Sequence, residues 1–347
     1  MRVALRWFML IILIVGGGIG SREYIRYTVT HSRHEMNPKS VVGPVGYYYV
    51  DWRRDWPDPE RLRDAAEAGV LRTNRAVESI DGFRPDPIGV IQASLSIHDQ
   101  LLDQPESWKT SILVDQLDWL MAEAHWLPDS SAVWPCYWQA LEHGITEPWI
   151  SALTQGQATS LFTRAHQMFG DDIYLEWAEY AARSLLDPNS CLVSNEVGPF
   201  LEEFPTQPRS GVLNGCLFAW LGLWDLVRVT KDGDLRIHCL GLLDSFEIQM
   251  PIYADSDWTY YDAYRRKIAS PAYQEIHAAI AESIAELTGR PDWEKRADRW
   301  RSAAESRPAM TQVFFRTVVR EARERIFGRP VPAQRNCPEF SGAKPVR

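Results

Sequence analysis

The sequence predicts a mainly α protein, an α/α toroid (barrel) of about four helical hairpins with short β-rich rim loops. Three observations lead there. Four long apolar-periodic segments each open on a proline, at Pro87, Pro148, Pro208 and Pro271, about sixty residues apart. A proline suits a helix start, because the amide it lacks would have no partner there. After a turn with Gly, Asp or Pro, each segment is followed by a second helical pattern: SILVDQLDWLMAEA, DDIYLEWAEYAARSLL, GDLRIHCLGLLDSFEIQM and PDWEKRADRWRSAA. The first segment of each pair also carries small or polar residues inside an apolar run: Gln92 and Ser94; Gln155, Gly156 and Gln157; Asn214 and Gly215; Gln274 and His277. Hairpins bury their apolar faces against one another, and closing them into a ring makes the first helices line a cavity. Close helix packing explains a Gly or Asn at any one of these positions, but recurrence on the same helix of each pair favours the cavity.

The remaining elements follow in order. Residues 1–20 combine Arg2 and Arg6 with an apolar run and a Gly-rich end, the pattern of a signal peptide or signal anchor. Export is therefore expected, either retained at the membrane through this segment or secreted or periplasmic. Residues 21–45 are polar and irregular and read as a linker. VGYYYVDW then reads as a short strand, and residues 59–69, PERLRDAAEAG, as a small helix with Pro at its start and Gly at its stop. The toroid domain is expected over 46–305. Residues 306–347 are expected to form a peripheral helix and a loose, Pro-rich tail.

With 45% hydrophobic residues and 15 Trp, the chain can build a sizeable core, and a net charge of -9 argues against nucleic acid as a partner. A polyanion can still bind a local basic groove. The five cysteines, Cys136, Cys191, Cys216, Cys239 and Cys337, show no C-x-x-C pair, which argues against a cysteine metal site. No nucleophile elbow, Walker loop or dinucleotide fingerprint is present. The chemistry left is cofactor-free acid/base work, although a divalent ion at a loop carboxylate would leave no spacing signature. A homodimer is compatible with these features.

Aromatic-rich loops between the hairpins are the natural carriers of such chemistry. One of them, FLEEFPTQPRSGVLNG, sets Glu202 and Glu203 just ahead of the third first-helix. Another, IYADSDWTYYDAY, leads through Arg265-Arg266-Lys267 to Tyr273 and His277. Read singly, the basic run is a solvated face, the tyrosines are rim packing and the histidine is a satisfied helix residue. Taken together, they form a constellation of acids, phenols and cations.

Four blocks in order, DPIGVIQASLSIHDQLL, SALTQGQATSLFTRAHQ, FLEEFPTQPRSGVLNGCLFAWLGLWDL and WTYYDAY with AYQEIHAAIAESI, resemble the C-terminal helical domain of the D-glucuronyl C5-epimerases. That resemblance implies an α/α barrel of four hairpins and inversion of C5 of D-glucuronate to L-iduronate within a heparosan-like polysaccharide. It also implies the secretory lumen or cell exterior as the site of action. By the same resemblance, Glu203 matches the second glutamate of a Glu-Glu-Tyr-Pro-Thr motif, Tyr261 the tyrosine of a Tyr-Asp motif, and Tyr273 the tyrosine shortly before a histidine. These three are the implied catalytic residues. The implied substrate-binding residues are Arg265 or Arg266 for the uronate carboxylate, with His277, Asn214, Gln157 and Tyr260. The chain departs from the family pattern in three ways: Phe204 replaces a tyrosine beside Glu203, the arginine falls one residue later after Tyr-Asp, and most of the β-rich N-terminal portion of the animal enzymes has no counterpart. Alternative expectations are a uronate polysaccharide lyase, which removes the same proton but expels the C4 substituent, and a catalytically lapsed domain that binds acidic glycans. Phe204 is the feature that favours the last.

Overall fold

The computed structural model describes residues 35–43, 45–54, 77–79, 82–254 and 256–341. The signal segment, residues 21–34 of the linker and the helix expected at 59–69 lie outside the described residues. Four consecutive hairpins make up the body: α1 (Pro87–Asp103) with α2 (Ser107–Ala122), α3 (Ala152–Phe169) with α4 (Asp172–Leu186), α5 (Leu213–Thr230) with α6 (Gly233–Gln249), and α7 (Pro271–Thr288) with α8 (Pro291–Glu305). A ninth helix, α9 (Arg307–Phe327), follows. The first helices pack in chain order, α1 on α3, α3 on α5 and α5 on α7, and each hairpin's second helix lies outside its first. This is the α/α-toroid arrangement expected from the pairing of the segments.

The local chemistry explains the helix ends. Asp171, Asp232 and Ser270 accept hydrogen bonds from the first amides of α4, α6 and α7, and Gly170 and Gly289 close α3 and α7 in the left-handed conformation that favours glycine. Pro87 and Pro271 open α1 and α7 as expected. Pro148 and Pro208 do not: each follows a cis peptide bond and lies in the loop ahead of its helix.

The first helices are buried nearly all round; α5 is buried without a break from Leu213 to Val227. Many of their polar residues serve packing rather than a cavity. Gln155 donates to the carbonyls of Ala132 and Ala181, and Gln274 binds Thr259 and the carbonyls of Asp257 and Trp300. Gly156 is a contact point between helices, because a Cβ there would sit 2.2 Å from the Ala219 Cα of α5. Gly156→Ala is therefore expected to cost at least about 2 kcal/mol, read as a lowered urea midpoint with unchanged slope. A variant as stable as the parent would refute so tight a helix contact.

Two short β pairs frame the third hairpin. Strand β1 (Val193–Ser194) pairs antiparallel with β2 (Phe200–Leu201), and β3 (Thr206–Gln207) pairs with β4 (Ala333–Gln334) from the C-terminal tail. The described tail, up to residue 341, is thus not loose. It is held by the β3–β4 ladder, by the Cys191–Cys337 disulfide and by backbone bonds between Trp126 and Ser341. The Arg335 amide also donates to the carbonyl of Pro205, which fastens the tail to the loop that carries Glu203.

VGYYYVDW is likewise not a strand. It makes one isolated bridge, Met36 to Val50, and several of its hydrogen bonds go to side chains of the first helices. The Tyr48 amide donates to Asp99, the Tyr49 hydroxyl donates to Asp225, and Arg164 donates to the carbonyl of Tyr47. Residues 36–43 do not behave as a free linker either, since Arg228 donates to the carbonyls of Ser40 and Gly43.

Candidate active site

The loop after β2 delivers two adjacent carboxylates into the protein, and their surroundings separate their roles. Glu202 is fully buried, and its Oε2 accepts from the Ser210 hydroxyl and the Gly211 amide, both at 2.9 Å. Burial pushes its carboxyl up to about 7 against the pull of those donors and of Arg209. The donors are fixed by the fold: Gly211 takes a positive φ of 61° and packs against Ala263 and the Tyr253 hydroxyl, where a side chain would collide. Glu202 therefore braces the loop.

Glu203 is held differently. It is buried and, like Glu202 with its Oε1, has one oxygen, Oε2, without a hydrogen-bond partner, but its carboxylate is hydrogen-bonded by Tyr261 rather than by loop donors. Burial pushes its pKa up to about 8, with the charge of Glu202 adding to the shift and the Tyr261 bond opposing it. Gly215 makes this seat possible, because a Cβ there would lie 2.4 Å from Glu203 Oε2. The Gly of the Asn-Gly pair thus lets a carboxylate rest against the first turn of α5.

Tyr261 links the acid to the next element. Its hydroxyl also hydrogen-bonds Tyr273 in the first turn of α7, with ring centroids 4.7 Å apart, and its carbonyl accepts from the Leu213 amide at the start of α5. Burial keeps the Tyr261 phenol well above its usual range, so it stays protonated and acts as a donor. Tyr273, in contrast, is 37% exposed. The structure therefore brings Glu203, Tyr261 and Tyr273 together as one hydrogen-bonded line from the interior to the surface.

The other nominated residues divide. His277 lies one helical turn beyond Tyr273, with ring centroids 6.4 Å apart. It is buried, its Nδ1 bonded to the Thr259 hydroxyl and its Nε2 unpartnered, and burial lowers its pKa to about 3, which leaves it neutral. Asn214, beside Gly215, has a buried Oδ1 without a partner. Buried polar atoms left unpaired in this way are rare and call for an explanation. Arg265 bonds Asp262 and Glu142 next to Tyr261, whereas Arg266, at a positive φ of 50°, lies over the Tyr260 ring, whose hydroxyl accepts from Arg316 of α9. Gln157 is bonded to Tyr48 and Gln92 rather than to the Glu203 group.

Phe204 fills an aromatic pocket. It stacks on His143 at 4.0 Å and nearly parallel, with Trp149 and Trp138 around it. Burial, with Arg265 nearby, holds His143 down at about 4. Sequence reasoning missed His143 and its neighbour Glu142. Glu142 accepts from Arg265 and Lys267, more than a hundred residues away, and the segment EHGITEP has no local pattern that announces this. Among the described residues no group of three or more His, Cys, Asp or Glu is gathered to hold a metal ion.

Comparison with known proteins places these residues in context. A family model described as D-glucuronyl C5-epimerase C-terminus matches residues 128–302, a stretch that holds Glu203, Tyr261 and Tyr273. The D-glucuronyl C5-epimerase of Caenorhabditis elegans is 29% identical over 174 residues, 44% of this chain but 28% of that protein. An uncharacterized protein of Methanocaldococcus jannaschii is 24% identical over 199 residues, 55% of this chain and 64% of its own length. A solved glycoside hydrolase family 76 mannosidase from Bacteroides thetaiotaomicron superimposes with a TM-score of 0.44 at 10% identity, covering 69% of this chain and 72% of the mannosidase.

Proposed function

Since the chain belongs to the D-glucuronyl C5-epimerase C-terminus family, we propose that it inverts C5 of D-glucuronate residues to L-iduronate within an acidic polysaccharide. The observation that carries this reading is the hydrogen-bonded line Glu203–Tyr261–Tyr273, which joins a buried carboxyl to a partly exposed phenol through a second, buried phenol. Epimerisation needs one group to take the C5 proton on one face of the ring and another to donate on the opposite face. Ionised Glu203 removes the proton, and the C5–H electron pair moves into the neighbouring carboxylate to form an enediolate. Tyr273 then protonates C5 from the other side. Tyr261 resets the pair by passing the proton from Glu203 to the Tyr273 phenolate, so no cofactor is consumed.

The enediolate carries a second negative charge that the site must offset. Arg265 and Lys267 supply positive charge beside Tyr261, with Lys267 Nζ 5.5 Å from its ring centroid. The first turns of α5 and α7, which carry Asn214 and Tyr273, add the favourable end of their helix dipoles. His277 Nε2 and Asn214 Oδ1 are buried and without a partner, so a sugar hydroxyl that reached them would find an acceptor unfilled. The Cys191–Cys337 disulfide fits the oxidising compartment that the N-terminal segment suggests.

The test is to incubate the protein with heparosan and related uronate polymers in heavy water and follow the sugar signals by NMR. Deuterium at C5 with unchanged chain length is expected, because Tyr273 exchanges with solvent. Shortened chains with unsaturated ends would make the protein a lyase. No exchange on any of the polymers would overturn the catalytic reading for them.

A further inference from the structure

Building on that reading, we propose that Glu142 is an internal stand-in for the substrate: it fills an anion seat between Arg265 and Lys267 that a uronate carboxylate takes over on binding. Arg265 Nη2 and Lys267 Nζ converge on the same oxygen of Glu142, at 3.1 and 3.2 Å. Two cations meeting at one carboxylate oxygen form a binding site for any carboxylate that can reach them. The seat has a fixed wall and a movable occupant. The Arg265 side chain is 3% exposed and tied to Asp262, whereas Lys267 and Glu142 are 43% and 40% exposed. Glu142 sits on a single helical turn, Leu141–His143, closed by Gly144 in the left-handed conformation, so its side chain can rotate into solvent without disturbing a longer element.

Charge and position both favour an exchange of anions. Arg265, Lys267 and Asp262 together leave one positive charge, which Glu142 neutralises; the cations draw its carboxyl down to about 2 despite partial burial. A uronate carboxylate restores the same balance when Glu142 leaves. In the substrate that carboxylate is bonded directly to C5, so its seat must lie beside the group that takes the C5 proton. The seat meets this condition, because the Tyr261 amide donates to the Lys267 carbonyl within one turn of chain and the Tyr261 hydroxyl holds Glu203. A neutral sugar brings no anion to pair with Arg265 and Lys267, so the seat itself favours acidic over neutral polysaccharides.

The experiment measures binding rather than turnover. A heparosan hexasaccharide and its carboxyl-reduced counterpart are titrated by calorimetry against the full chain, Glu142→Gln and Lys267→Met, each checked for an unchanged melting temperature. Glu142→Gln should bind the uronate oligomer at least about fivefold tighter, because its competitor is gone, and Lys267→Met at least about fivefold weaker. Neither should alter binding of the reduced oligomer. If Glu142→Gln perturbs folding, Glu142→Ala takes its place with the same expectation. Equal or weaker binding after removal of Glu142, no binding at all, or equal tightening for the reduced oligomer overturns the proposal. Because the readout is affinity, tightening without any C5 exchange would sink the catalytic reading and leave the seat standing. Exchange without tightening would sink the seat alone.

Discussion

Glu203→Gln is expected to cut C5 deuterium uptake by about 10²–10⁴-fold, the share that a positioned acid/base group contributes. The same substitution should make the protein more stable. The folded-state pKa of Glu203 is raised to about 8 from an ordinary 4.5, so the folded protein binds this proton more tightly than the unfolded chain does. Below pH 4.5 both states are protonated and the group costs nothing. Between 4.5 and 8 stability falls as pH rises, and above 8 the full penalty of a buried, poorly paired carboxylate is present. Glutamine cannot ionise, so the variant should gain roughly 2–4 kcal/mol over the parent at pH 8 and little at pH 4. The parent's exchange rate should in turn rise with pH towards about 8 as the base ionises. Thermal melts across this range, run beside the exchange assay, check all three statements. Retained activity in the variant would remove Glu203 from the mechanism, and a pH-independent stability difference would show that its carboxyl is not buried as described.

The second large effect is at the other end of the first helices. Asp225 of α5 accepts from Arg164, the Ser160 hydroxyl and the Tyr49 hydroxyl, and both ion-pair side chains are fully buried. Asp225→Ala leaves the Arg164 guanidinium in the interior without its anion, at an expected cost of about 3–5 kcal/mol. The double variant Asp225→Ala, Arg164→Met should recover much of that loss, because it removes both charges. Urea denaturation of the two variants decides the matter. A single variant within 1 kcal/mol of the parent would mean that water or another group already serves Arg164. Asn214 and Asp225 are separated by about 16 Å along α5, so this network supports the helices without touching the Glu203–Tyr261–Tyr273 line.

Local patterns made much of the molecule legible. The period of the apolar residues marked the eight hairpin helices, since each helix must bury one face whatever surrounds it. Glu203, Tyr261 and Tyr273 stood out only through resemblance to family motifs, and the fold brings the three side chains together. Other features were not legible. The polar residues of the first helices looked alike in sequence, yet Gln155, Gln274 and Gly156 are packing groups while Asn214 and His277 keep unpaired atoms at the site. A string of letters does not record which partner satisfies an amide. The expected looseness of the tail failed for the same reason, because Cys191 and Cys337 are 146 residues apart and nothing near either one indicates the other.

By itself the sequence determined the helical hairpins, the adjacent carboxylates at the mouth of the third one and the phenols ahead of the fourth, because these depend on periodicity and short-range order. Only the tertiary structure decided that Glu202 braces a loop while Glu203 meets a phenol, that Gly215 clears its seat, and that Glu142 closes over Arg265 and Lys267. Hydrogen bonding, desolvation and charge pairing act across a few ångströms of space, and the chain brings those groups together only when it folds.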